Sequence, residues 1–116
     1  MGDGTRAEGE WIDNILNMVY LVDRMNWSVV SKKQVKKQVA KLPAGIKERL
    51  FALLLEIEKA GPVRGNWPNY GKIGNVRHHC HLKKGTPTYV AVWEVIDNRI
   101  KLIEVIYVGS HEKAPY

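Results

Sequence analysis

The chain has 116 residues, of which 45% are hydrophobic, and a net charge of +6. This length allows one domain with a single modest core. No apolar run approaches the roughly 20 residues that a membrane-spanning helix needs, and the first residues lack the layout of a secretory signal, so we expect no membrane partner and a cytoplasmic location. The single cysteine excludes an internal disulfide.

The charge is divided unevenly along the chain. Residues 1 to 24 carry five acidic and two basic residues, net −3, so the remaining residues carry +9. A basic domain of this size favours polyanions, with nucleic acid first among them, although an acidic protein segment would satisfy the same charge.

Residues 1 to 24 are predicted to be an acidic N-terminal extension, and residues 25 to 116 to be the folded domain. The first nine residues are rich in glycine and charge, which predicts disorder. Between Glu10 and Asp23, apolar residues recur at helical spacing and predict a short amphipathic helix: Trp11, Ile12, Ile15, Leu16, Val19 and Tyr20. We hypothesise that this acidic helix covers part of the basic domain.

A helical hairpin is predicted after a short strand over residues 27 to 30. Ser31 is a candidate cap for the first helix, which sets a narrow apolar stripe against five lysines. Pro43 suits the first turn of the second helix, and Gly61 suits its end. The wide apolar face of the second helix consists of Ile46, Leu50, Leu53, Leu54 and Ile57.

Residues 61 to 74 are predicted to form a loop, because they contain four glycines and two prolines without periodicity. Trp67 and Tyr70 within this loop could stack on bases or anchor the loop to the core, and the sequence leaves both possibilities open.

Three further strands are predicted over residues 75 to 83, 88 to 95 and 99 to 108, joined by short turns. Consecutive strands with short turns form an antiparallel meander. The predicted fold class is therefore α+β, with a helical hairpin packed on one face of a small antiparallel sheet and the other face open.

The first strand of this meander has two different faces. Side chains alternate along a strand, so Arg77, His79, His81 and Lys83 project to one side. His78 and Cys80 project to the other side with apolar neighbours. Imidazoles beside fixed positive charges suit proton transfer on a phosphate-containing substrate, although a solvated surface is the alternative.

A metal site competes for the same histidines, since His79, His81 and His111 could supply three imidazoles to zinc. Arg77 and Lys83 would repel a dication, and the strand contains no carboxylate. We therefore predict that the protein uses no metal and no other cofactor.

The remaining candidate residues are less specific. Lysines of the first helix, such as Lys33 and Lys37, could follow a phosphate backbone or form a solvated face. Lys72 and Lys84 flank the histidine strand and are further candidates for RNA contact. At the C-terminus, His111 and Tyr116 follow a strand and a glycine, so they could reach the open face of the sheet or belong to a frayed tail.

The passage from Tyr89 to Glu112, YVAVWEVIDNRIKLIEVIYVGSHE, resembles the RelE/ParE superfamily of toxins from toxin–antitoxin systems. The resemblance covers about residues 26 to 116. The Cys80–His81 strand and the Gly109-Ser110-His111 turn are most similar to the histidine-using, YafQ-like branch. The resemblance implies a type II toxin, a ribosome-dependent mRNA endonuclease held inactive by a cognate antitoxin protein.

Residue by residue, the resemblance matches His81 and His111 to the two histidines of the YafQ-like pattern and Tyr116 to the late aromatic. An arginine that the RelE-type pattern has near Val90 is absent here. Stabilisation of the negative charge on the phosphate would then fall to Arg77, Lys83 or Lys84.

The hypothesis is metal-independent cleavage, in which the ribose 2′-hydroxyl attacks the adjacent phosphate. His81 is expected to act as base or to orient it, and His111 as acid, although the two could be exchanged. His79 and Tyr116 would position the RNA. The alternative is a non-catalytic protein, either a ParE-like gyrase inhibitor or an inactive homologue that only binds an antitoxin.

Overall fold

The structure, a computed structural model, describes residues 26–99 and 101–116. The predicted N-terminal disorder and amphipathic helix lie outside these residues. The elements in chain order are β1 (Ser28–Ser31), α1 (Lys33–Ala40), α2 (Ala44–Ala60), β2 (Gly71–Ile73), β3 (Arg77–His81), β4 (Tyr89–Asp97), β5 (Leu102–Ser110) and a 3-10 helix (His111–Lys113). Among them there is no helix of the length and apolarity that a bilayer crossing requires.

The five strands form one sheet in the order β1-β5-β4-β3-β2. The β3-β4-β5 meander is antiparallel, as predicted, and β2 extends it. β1 pairs parallel with β5, where Ser28 lies beside Leu102. The predicted α+β fold with a helical hairpin is confirmed, but the sheet is mixed, because the long connection from β1 to β5 imposes no hairpin geometry on their direction.

The first helix starts later than the predicted cap requires. Ser31 is the last residue of β1 and pairs with Val105, so it cannot cap a helix. Lys32 occupies the N-cap position without a side-chain cap bond, and its backbone N–H donates to the Val105 carbonyl at 3.1 Å. The cap prediction is wrong because strand pairing takes the serine.

The second helix supplies much of the core. Its buried side chains are Ile46, Leu50, Leu53 and Ile57. They belong to one cluster with residues of the inner sheet face, including the fully buried Trp93 and Ile103. Pro43 stands at the N-cap, and Gly61, with a φ of 96°, ends the helix while its N–H donates to Ile57.

The segment from residue 61 to 70 is a loop, and its aromatic residues anchor it. Trp67 is 8% exposed, and its indole N–H donates to Glu56 Oε1 at 3.0 Å. Arg64 and Asn66 donate to the same oxygen. Tyr70 Oη lies 2.6 Å from His78 Nδ1. Trp67 and Tyr70 therefore anchor the loop to the core, which is one of the two roles that the sequence leaves open for them.

The predicted loop is wrong at its end, because Gly71–Ile73 forms β2. Three residues that begin with glycine carry no strand pattern of their own. They form a strand because β3 offers a free edge, on which Gly71 pairs with His79 and Ile73 with Arg77.

Candidate active site

The histidine strand β3 has one buried face and one partly open face, as its sequence predicts. His78 is 2% exposed and stacks on Trp93, with ring centroids 6.0 Å apart. Cys80 is fully buried beside it, and burial raises the pKa of its thiol to about 12, so it is no nucleophile at neutral pH. His79 and His81 lie on the opposite, partly exposed face.

Strand register determines what lies next to these two histidines. His79 pairs across the sheet with Val92, and His81 pairs with Val90. Val90 in turn pairs with Gly109 on β5, one residue before the strand ends. The end of β5 and the beginning of the C-terminal segment therefore lie level with the His81 end of β3, with β4 between the two strands.

Two hydrogen bonds hold the turn that follows β5. The Tyr107 hydroxyl donates to the Ser110 carbonyl at 2.8 Å. The His111 backbone N–H donates to the Thr88 carbonyl at 3.1 Å. Together they fix the start of the 3-10 helix against the beginning of β4, so that the His111 ring turns back toward the sheet.

Four rings meet on this face, and we call His79, His81, His111 and Tyr116 the ring cluster. The His81 and His111 rings contact edge to face with centroids 5.4 Å apart. Tyr116 lies 5.4 Å from His111 and 4.8 Å from His79. The structure thus brings together the four residues that the sequence singled out for catalysis and RNA positioning.

The electrostatics of the ring cluster favour neutral imidazoles. Burial lowers the pKa of His79, and the neighbouring His81 and His111 lower it further. Burial also lowers the pKa of His81, with a second contribution from His111. Burial raises the pKa of the Tyr116 hydroxyl. At neutral pH His79 and His81 are therefore uncharged and can accept a proton.

His79 is packed closely against the edge strand. A Cβ atom at Gly71 would lie 2.7 Å from His79 Nε2, so only glycine leaves room for the ring at this position. The other ring nitrogen, Nδ1, is buried and has no hydrogen-bond partner among the residues that the structure describes. This role of Gly71 was missed, because nothing in the sequence predicted that it pairs with His79.

Arg77 is bound by protein groups on both sides. Its Nε and Nη2 donate to Glu94 Oε2 at 2.9 and 2.5 Å. Its Nη1 donates to the Pro115 carbonyl at 2.9 Å. Glu94 was not among the predicted site residues, although it lies directly opposite Arg77 on β4.

The predicted lysines are dispersed around the molecule. The prediction that Lys83 continues the alternation of the histidine strand is wrong, because β3 ends at His81 and Lys83 lines a cavity with Arg49 of α2 and with Tyr89. Lys84 is exposed in the turn after β3. Lys72 pairs with His78, which places it on the other side of the sheet from His79. The lysines of α1 are exposed on the helical layer: Lys33 and Lys37.

His79, His81 and His111 are also the candidate ligands of a zinc site. In the part of the chain that the structure describes, no group of three His, Cys, Asp or Glu side chains is arranged to hold a metal ion.

No protein-family model matches the chain, and no curated protein sequence matches it. Solved structures of RelE-type toxins do. A variant of the E. coli toxin RelE in the free state is 24% identical over 76% of this chain and 86% of its own, with a TM-score of 0.57. A chain of the E. coli RelBE toxin–antitoxin complex is 23% identical over 75% of this chain and 99% of its own, with a TM-score of 0.56. A chain of the YoeB dimer from Staphylococcus aureus is 14% identical over 74% of this chain and 98% of its own, with a TM-score of 0.57. Residues 26–99 and 101–116 of this chain therefore have the fold of RelE-type toxins.

Proposed function

We propose that this protein is the toxin of a type II toxin–antitoxin system and cleaves mRNA on the ribosome. The observation that carries the proposal is the ring cluster, in which histidines from β3 and from the end of the chain meet on one sheet face. The contact of two histidines with a tyrosine favours the YafQ-like branch over the RelE-type pattern, whose arginine near Val90 is absent here. The likeness in fold to RelE and YoeB supports the same class.

The first chemical task is to remove the proton from the ribose 2′-hydroxyl. His81 suits this task, because burial and the neighbouring His111 lower its pKa and keep it neutral at physiological pH. The activated 2′-oxygen attacks the adjacent phosphorus and forms the 2′,3′-cyclic phosphate. The bond from phosphorus to the 5′-oxygen breaks at the same time.

The second task is to protonate the leaving 5′-oxygen. His111 is exposed and in contact with His81, so we assign the acid to it, and the exchange of the two roles is the alternative. His79 and Tyr116 position the RNA, and Lys83 and Lys84 remain the proposed phosphate contacts at the end of β3.

The ribosome and an antitoxin are the proposed partners. The ring cluster lies on a partly exposed sheet face, and we propose that presentation of a codon by the ribosome supplies the orientation of the RNA that cleavage needs. RelE is held by RelB in the E. coli RelBE complex. We propose an analogous antitoxin for this basic protein, and a cytoplasmic location where both partners occur.

The test is primer extension on a defined mRNA incubated with ribosomes and the purified full-length protein. We expect cuts within the codon in the ribosomal A site, and we expect them to vanish in His81→Ala. The exposed Lys59, in the last turn of α2, provides the control variant Lys59→Ala, which should cut normally.

Intact mRNA with the wild-type protein would contradict the proposal. The ParE-like and binding-only alternatives would then be separated by a gyrase assay, in which cleaved DNA supports the former. Cuts that persist in His81→Ala would keep the endonuclease but remove the proposed base.

A further inference from the structure

Arg77 connects the sheet to the last two residues of the chain. Its guanidinium lies between the Glu94 carboxylate and the Pro115 carbonyl and donates to both. Glu94 receives two of the donors from one side, a geometry that fixes the guanidinium plane. The third guanidinium nitrogen, Nη1, is thereby aimed at the C-terminal segment.

The residue after Pro115 is Tyr116, whose ring contacts both His79 and His111. Tyr116 is 49% exposed, so it is not held by burial in a core. Its own N–H donates within the segment, to the Ala114 carbonyl at 3.0 Å. Within the described part of the chain, residues 114 to 116 are linked to the sheet by the hydrogen bond from Arg77.

We propose that the Arg77–Glu94 pair is a clamp that holds the C-terminal segment, so that Tyr116 is positioned against His79 and His111. Arg77 is then a positioning residue, and it is not the phosphate ligand that its sequence position indicates. Its guanidinium already donates to the Glu94 carboxylate and to the Pro115 carbonyl, so a substrate phosphate would compete with Glu94 for the same positive charge. The catalytic consequence of the clamp rests on the proposed function, but the clamp itself does not.

The clamp can be tested without activity, by NMR of the histidine ring protons in the full-length protein. The Tyr116 ring at 4.8 Å shifts the His79 ring signals, and Tyr116→Ala defines their position without that ring. We expect Arg77→Gln to move the His79 signals to the Tyr116→Ala position although the tyrosine is still present.

The matched control is Arg64→Gln, which removes another half-buried arginine, one paired with Glu56 at 3.1 Å. It should leave the His79 signals unchanged. Arg77→Lys is the second variant, in case Arg77→Gln does not fold. Lysine keeps the charge but cannot bridge two partners with a rigid fork, so it should also release Tyr116. His79 signals that stay at the wild-type position in a folded Arg77 variant would overturn the clamp.

Cleavage kinetics separate positioning from phosphate binding. We expect Arg77→Gln to slow cleavage by the same factor as a chain that ends at Ala114, on the order of 100-fold for a misplaced group. In the shortened chain, Arg77→Gln should have no further effect, because the segment that it holds is gone. A further loss there would show that Arg77 acts on the substrate directly and would overturn the inference. Absence of cleavage in the wild type would count against the proposed function alone, since the NMR result still decides the clamp.

Discussion

The imidazole rings of His81 and His111 meet edge to face with their centroids 5.4 Å apart, although one lies on β3 and the other follows β5. β4 lies between these strands, and Val90 on it pairs with His81 on one side and with Gly109 on the other. The contact therefore depends on the register of three strands. A shift by one residue in either pairing would turn one of the rings to the opposite face.

The first prediction concerns His81 as the proposed base. His81→Ala should lower the single-turnover rate of codon cleavage by roughly 100- to 10,000-fold, the range that a general base contributes. The side chain is only partly buried, so the circular dichroism spectrum and the urea midpoint should be close to those of the wild type. A loss of activity that parallels a loss of structure would remove the evidence for catalysis.

The second prediction is the pH dependence of cleavage. The base must be neutral, and the structure lowers the pKa of His81 below the ordinary histidine value. The rate should therefore be maintained as the pH falls to about 6.5 and should decrease only at lower pH, as the base becomes protonated. Single-turnover cleavage rates, measured at several pH values with saturating protein, give this acid limb of the pH–rate profile. An acid limb centred above pH 6.5 would contradict the assignment.

The third prediction is the pH dependence of stability. The folded protein lowers the pKa of His78, His79 and His81, with burial as the largest cause for each. The unfolded chain therefore binds more protons than the folded chain in acid, and the free energy of unfolding should decrease as the pH falls below about 6.5. Above that pH it should be constant with respect to these groups.

Urea denaturation between pH 7.5 and 5 measures this slope. His78→Phe removes one titrating group while it keeps a ring against Trp93, so its slope should be smaller than that of the wild type. The pKa of Glu56 is lowered chiefly by the hydrogen bond from Asn66. Glu56 therefore affects stability only at lower pH, near and below the ordinary pKa of a glutamate. Equal slopes in the two proteins would show that His78 does not titrate differently on folding.

The fourth prediction compares two leucines of α2. Leu53 is fully buried and Leu55 is 55% exposed, so the same substitution meets opposite environments two residues apart. Leu53→Ala should lower the free energy of unfolding by about 2 to 5 kcal/mol, and Leu55→Ala by less than about 1 kcal/mol. Urea titration of both variants provides the measurement. Similar losses would show that α2 presents a different face to the sheet.

Much of the fold could be predicted because the decisive signals are local. The apolar periodicity of α2 and the alternation along β3 follow from residues that are neighbours in sequence. The same alternation predicted that His79 and His81 share a face. The loop from residue 61 to 70 was predicted from its glycines and prolines, and it is a loop.

What could not be predicted depends on pairing between distant segments. β2 has three residues and no pattern, and it exists only because the edge of β3 is available. Ser31 has the chemistry of a helix cap, but pairing with Val105 takes it into β1. The ion pair of Arg77 with Glu94 requires the exact register of β3 and β4. From the alternation of β3 alone, Arg77 is predicted to be an exposed positive charge without a carboxylate partner.

The last prediction concerns Gly71, whose missing side chain makes room for His79. The methyl group in Gly71→Ala would lie 2.7 Å from His79 Nε2, which is the far end of a side chain that can rotate away. The fold should therefore persist, with a change in unfolding free energy within about 1 kcal/mol. The ring of His79 should leave its place beside Tyr116, and cleavage should slow by roughly 10- to 100-fold.

The matched control is Gly65→Ala, since a Cβ atom at Gly65 meets nothing within 4 Å. Its cleavage rate should equal that of the wild type. Each variant adds one methyl group, at positions six residues apart. A difference between their cleavage rates at similar stability would therefore report the placement of His79. If Gly71→Ala cleaves as fast as Gly65→Ala while NMR shows a displaced His79 ring, then His79 has no part in positioning the RNA.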